Sequence, residues 1–159
     1  MWCLTVKLVK RRRKTPSFDG FEPASPLSSQ IKKANTNRGT SQELALQTEL
    51  SKLGLRFKKN TAVLPGCPDI VFPQARLAVF CDGDFWHGRD WTVLRRKLGR
   101  GTNAAYWCAK ISRNRKRDRE VNMLLRKSGW RVLRIWESLI KKDPRAVALE
   151  LKKVLRHHL

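Results

Sequence analysis

A chain of 159 residues has room for one domain and a terminal arm of some tens of residues. With 35 Lys and Arg against 13 Asp and Glu, its formal net charge is +22 and its pI about 11.0, which favours a polyanionic partner through counterion release. The composition excludes a membrane span, since no apolar run reaches roughly 18 residues. It also excludes a disulfide framework or zinc finger, since Cys3, Cys67, Cys81 and Cys108 show no CxxC spacing.

Taken in order, MWCLTVKLVKRRRK puts its charges after the apolar stretch, the reverse of a secretory signal, so the chain is expected to be cytoplasmic. Residues 1–39 are rich in Lys, Arg, Ser, Pro and Asn and read as a flexible basic arm. Lys10, Arg11, Arg12 and Arg13 suit contacts to DNA phosphates, or form a solvated tail. Order is predicted from Thr40. Thr40-Ser41-Gln42-Glu43 fits a capping box, and Leu46, Leu50 and Leu53 then share a helical face that Gly54 ends. Glu43 falls on that face and has two readings, a cap or a carboxylate aimed at a site. Leu55 to Lys59 alternates apolar and basic residues, as a half-exposed strand does.

The chain is organised around Leu64 to Gly88, LPGCPDIVFPQARLAVFCDGDFWHG. Two apolar strands, Ile70 to Phe72 and Leu77 to Cys81, are joined by the turn Pro73-Gln74-Ala75. Asp69 opens the first strand, while Asp82, Asp84 and His87 crowd the exit of the second. Adjacent antiparallel strands lie about 4.8 Å apart, so groups at neighbouring strand ends can converge on one cation.

Beyond it, Arg89 to Gly101 reads as a mobile loop or short helix whose Arg95, Arg96 and Lys97 suit phosphate contacts. A long helix is predicted from Asn103 to Ser128, with Trp107, Ile111, Val121 and Leu125 as its apolar stripe. Asn114 and Asp118 fall on the same stripe, and a buried acid needs a partner: a neighbouring Arg, or an active site. Trp130 to Trp136 is a strand by β-branched and aromatic content, ending in Glu137, and Asp143-Pro144 starts a last helix. The order predicts an α/β domain over residues 40–159, a mixed sheet flanked by helices.

Several carboxylates and one histidine inside a cationic shell suit metal-assisted phosphodiester hydrolysis. Mg²⁺ takes hard oxygen ligands and keeps several waters, so one or two carboxylates hold it. His87 stands beside Trp86, near Asp82 and Asp84, as a base for the attacking water or as a packed structural residue.

Five segments carry a family resemblance: TSQEL, LPGCPDIVF, LAVFCDGDFWHG, YWCAKISRNRKRDREVN and SGWRVLRIWE. From Thr40 to Glu137 the chain resembles the very short patch repair endonucleases, a branch of the PD-(D/E)XK, restriction-enzyme-like nucleases. The resemblance implies a central sheet between helices and Mg²⁺-dependent cleavage of one strand of double-stranded DNA beside a T:G mismatch. It places Glu43 on the family's first-helix Glu and Asp69 on its metal-binding Asp. Cys81 falls on the position whose backbone carbonyl helps hold metal, His87 on the His that acts on the water, and Asp118 on the Asp of the long helix. Phe85 and Trp86 match aromatics that wedge into the base stack.

Two departures accompany the match. Asp82 stands where well-known members have a second His, and as a carboxylate it is expected to ligate metal directly. Asp84, Arg89, Trp91 and Ser138 occupy the places of the family's structural zinc ligands, so no zinc is expected. The alternatives are a restriction or phage-defence nuclease of the same fold, with defence rather than repair proteins as partners, or a non-catalytic DNA-binding protein.

Overall fold

A computed structural model of the chain describes residues 39–156. The predicted arm, with Lys10, Arg11, Arg12 and Arg13, lies outside them apart from Gly39, as do Cys3 and the His157-His158 pair.

Helix α1 spans Ser41–Lys52, followed by strands β1 (Lys58–Lys59), β2 (Ile70–Phe72) and β3 (Leu77–Asp82). Helices α2 (Trp91–Leu98) and α3 (Ala104–Lys127) lead to β4 (Arg131–Trp136), then α4 (Glu137–Lys142) and α5 (Pro144–Arg156). The four-stranded sheet has the order β1-β2-β3-β4, with β1, β2 and β3 antiparallel neighbours and β4 parallel to β3. The long crossover that a parallel pair requires is supplied by α2 and α3. This is the mixed sheet between helices that the sequence predicts.

Strand β3 is central, and its run LAVFC reads as continuously apolar because helices cover both faces. On one face Leu77 and Val79 join Ile70 and Phe72, packing with Leu46 and Leu50 of α1, Ile140 of α4, and Ala148, Leu151 and Leu155 of α5. On the other, Ala78 and Phe80 meet Val121 and Leu125 of α3, with Leu64, Trp130 and Val132 alongside. Each fully buried Leu or Ile in these layers contributes roughly 1.5–3 kcal/mol from apolar burial.

Two expectations change, and one left open is decided. The strand read over Leu55 to Lys59 shrinks to Lys58–Lys59, because Leu55 and Phe57 pack towards the core and only two residues pair with β2. The stretch 89–101 resolves into a regular helix over Trp91–Leu98. Glu137 opens a further helix rather than merely ending β4, and the fully buried Ile140 anchors that helix.

Candidate active site

The site forms where the C-terminal end of β3 meets the start of β2 and the middle of α3. Alternation puts Asp82 on the α3-facing side of β3, two residues beyond Phe80. Asp69, just before β2, accepts the Cys81 backbone N–H on Oδ2 at 2.7 Å. This bond ties the opening of β2 to the exit of β3.

After Asp82 the chain turns tightly. The His87 N–H donates to the Gly83 carbonyl at 3.1 Å, and Arg89 N–H to the Asp84 carbonyl at 2.9 Å. Asn114 Nδ2 donates to the Trp86 carbonyl at 2.9 Å, which fastens the turn to α3. Gly88 completes the closure: at φ +68 it sits where a Cβ would lie 2.9 Å from side-chain carbons of Ile111 and Arg115. Only glycine allows both the left-handed backbone and that approach. In consequence His87 Nδ1 reaches Asp118 Oδ2 at 2.7 Å, across 31 residues of sequence.

Asp118 has both an arginine and a histidine for partners. It partners His87, and its Oδ1 lies 3.2 Å from Arg134 Nη2 and 3.9 Å from Arg117 Nη2. Burial alone would raise its pKa, but the His87 hydrogen bond and the His87, Arg134 and Arg117 charges outweigh burial and hold it below the ordinary value. An ionised Asp118 only accepts hydrogen bonds, so the His87 proton sits on Nδ1 and the Nε2 lone pair is free.

Asp69 is perturbed the other way. Burial pushes its pKa from 3.8 up to about 6, with the charges of Glu43 and Asp82 adding to the rise and the Cys81 N–H and His87 opposing it. Burial, with the Asp69, Glu43 and Asp82 charges behind it, also raises the Cys81 thiol, which stays protonated. Glu43, Asp69, Asp82 and His87 thus share one electrostatic neighbourhood, although the sequence scatters them over 45 positions (43 to 87). Glu43 is buried, and the expected capping box does not form: Thr40 makes no side-chain bond to the helix N–H groups, and Glu43 instead accepts from Thr40 Oγ1 at 2.7 Å and from the Gly39 N–H at 2.9 Å. The N–H it satisfies is that of Gly39, one residue before the position a standard capping box uses.

A buried carboxylate clustered with other acids favours a bound cation, whose charge offsets what burial disfavours. Among the described residues no group of three or more His, Cys, Asp or Glu side chains is arranged to hold a metal. The donors that remain, the Asp69 carboxylate and the Cys81 backbone carbonyl, fit Mg²⁺, which accepts few protein ligands and keeps its waters. Asp82 does not fit the direct-ligand role expected of it. Arg134 Nη1 donates to both its oxygens at 2.8 Å, so the carboxylate is already committed.

Without bound cation, the raised Asp69 pKa carries a stability signature. Folded Asp69 binds its proton more tightly than an ordinary Asp. Its contribution is therefore complete below about 3.8 and is lost as pH rises through about 6. The chelator-treated protein is expected to melt at lower temperature at pH 8 than at pH 5. Asp69→Asn is expected to remove on the order of 1–1.5 kcal/mol of that difference, because pH 5 lies only about one unit below the raised value of about 6. Added Mg²⁺ should restore the pH 8 melting temperature of the parent protein and leave Asp69→Asn unmoved. A parent and variant with parallel pH–melting curves would disprove the burial argument.

Beside these acids lies an aromatic cluster. Phe85 and Trp86 stack edge-on at 5.1 Å, and Trp107 of α3 packs 5.5 Å from Phe85 and 5.8 Å from Trp86. Lys110 sits over Trp86 at 5.0 Å, and burial lowers its pKa. The stripe position of Trp107 reads as core in the sequence, yet its ring joins the cluster. An open groove of about 410 Å³ runs from Asp84, Phe85 and Arg89 to Val93, Leu94 and Lys97 of α2, where Arg95, Arg96 and Lys97 are exposed. Arg134 is the site residue that sequence reasoning missed. Its signal was a cation on the otherwise apolar Val132 side of β4, in register with Phe80.

Asp84, Arg89 and Ser138 lie together. Arg89 Nη1 donates to Ser138 Oγ and reaches Asp84 Oδ2 at 3.5 Å, while Arg115 stacks on Trp91 at 5.3 Å. The places expected to have lost zinc ligands are thus tied by an arginine clip that joins the site loop to α4.

A mixed sheet between helices, with acids at adjoining strand ends and a His–Asp pair beside them, defines a nuclease of the restriction-endonuclease-like class. Comparison with known proteins gives the family. Residues 19–93 match the family model of the DNA mismatch endonuclease Vsr. The chain is 39% identical over 125 residues to the type II nicking enzyme V.HpaIIP of Haemophilus parainfluenzae, covering 79% of this chain and 87% of that one. It is 42% identical to V.NmeDIP, a type II nicking enzyme of Neisseria meningitidis serogroup C, covering 77% and 82%. To the DNA mismatch endonuclease Vsr of Escherichia coli it is 35% identical, covering 69% and 68%. The chain belongs to the Vsr endonuclease family and is a DNA endonuclease. Among the described residues no helix is long and apolar enough to cross a membrane.

Proposed function

We propose that this protein nicks one strand of duplex DNA in a Mg²⁺-dependent reaction, at a T:G mismatch, with His87 as general base. The observation that carries the reading is the His87–Asp118 bond at 2.7 Å beside the raised, buried Asp69. The names of the relatives support it, since they are called nicking enzymes and mismatch endonucleases.

Each residue has a defined task. Asp118, ionised, holds the imidazole with Nδ1–H towards itself, and Nε2 takes the proton of the attacking water. Asp69 and the Cys81 carbonyl would hold the cation, which when bound neutralises charge on the phosphate oxygens. Phe85 and Trp86, buttressed by Trp107, present ring edges to the base stack, and partial unstacking there is easiest at a mispaired step. The exposed Arg95, Arg96 and Lys97 hold phosphates on the flank. Glu43 adds negative charge behind Asp69.

The test is strand-resolved cleavage of matched and T:G duplexes with Mg²⁺ or with chelator. A single nick confined to the T:G duplex and to Mg²⁺ is the expected result; double-strand cleavage of matched DNA would replace the repair reading with restriction or defence.

Zinc is not expected to accompany the purified protein, because the Arg89 clip ties together three of the four substituted positions, Asp84, Arg89 and Ser138, and the fourth is Trp91. Elemental analysis should find far less than one zinc per chain. A stoichiometric value would overturn the clip as the element that organises this loop.

A further inference from the structure

Arg134 is the most fully engaged cation around the site. Besides both Asp82 oxygens it reaches Asp118 Oδ1 at 3.2 Å, and its Nε donates to Asn122 Oδ1 at 3.0 Å. The guanidinium lies over the Phe80 ring at 4.5 Å, and the side chain is 18% exposed. An arginine committed in so many directions has little left for a phosphate. Its fork geometry instead spans two carboxylates at once, which the point charge of a lysine cannot do.

The consequence falls on Asp118. One of its oxygens accepts from His87 and the other faces Arg134, so the carboxylate is gripped from both sides. Arg134 is itself anchored to the end of β3 through Asp82 and to α3 through Asn122. The orientation of the His87 ring is therefore referred to β3 and β4, which pair in parallel along their whole length, rather than to the turn that carries it.

We propose that Arg134 is a positioning residue for strand cleavage: anchored by Asp82 and Asn122, it fixes Asp118 and so aims Nε2 of His87 at the attacking water. The proposal rests on the reading of His87 as base. It assigns Asp82 the work of an anchor.

Arg134→Met would strand two buried carboxylates and endanger the fold, so Arg134→Lys, which keeps a charge beside Asp82, is the informative variant. Single-turnover cleavage by Arg134→Lys is expected to fall about 10–100-fold, the cost of misplacing a reacting group by about an ångström. DNA affinity should stay within about threefold, because Arg134 contributes no phosphate contact. The decisive measurement is the cycle with Asp118→Asn. If Arg134 acts through Asp118, Arg134→Lys adds no further loss in the Asp118→Asn background. Multiplying losses, a rate drop explained by weaker DNA binding, or an Arg134→Lys enzyme as fast as the parent would each overturn the proposal. The base assignment fails separately, through a His87→Ala enzyme that cleaves at the parental rate.

Discussion

Asp69→Ala is expected to abolish DNA cleavage while DNA binding persists. Asp69 is the carboxylate whose position couples the two strand ends, through its 2.7 Å bond to the Cys81 N–H, and whose pKa its surroundings push up to about 6. Removing it takes away the side-chain donor proposed for the cation and leaves the Cys81 carbonyl alone, too little to hold Mg²⁺. Affinity, by contrast, depends on phosphate neutralisation by the many cations of a chain carrying +22, and one acid fewer strengthens that field slightly. Gel-shift titration and strand-resolved cleavage of the same duplex separate the two. Residual cleavage near the parental rate, in protein free of contaminating nuclease, would remove Asp69 from the reaction.

His87→Ala comes second in size. A positioned general base is worth about 10²–10⁴ in rate, and that is the loss expected, with binding little changed. Activity should rise with pH in parent and variant alike as Asp69, pushed up to about 6, ionises to hold the cation, so the loss is read above that range. Asp118→Asn is informative alongside, because an amide at that place can donate to the ring and favour the wrong tautomer. A loss under about tenfold would make His87 a packed residue beside Trp86, and Glu43 would become the better candidate for handling the water.

Much of this arrangement was written locally. The continuous apolar run of β3, the turn at Pro73-Gln74-Ala75, and the heptad-like stripe from Trp107 to Leu125 each declare their element, because the covering layers select residue type position by position. The stripe also betrayed Asp118 and Asn114 as inward polar groups. What helix α4 lacked was length: six residues with a single buried Ile140 give no period to read.

The sequence by itself determined the α/β class, the basic character and the acids at the two strand ends, since these follow from composition and from periods of two and 3.6 residues. Only the tertiary structure decided the partners. Asp82 is an anchored carboxylate and not a free ligand because β4 lies parallel to β3 and brings Arg134 alongside. Trp107 joins Phe85 and Trp86, and His87 reaches Asp118, because Gly88 and Asn114 bring the loop against α3. Such pairings depend on strand register and helix placement, and those are set by the packing of whole layers, which no local pattern encodes.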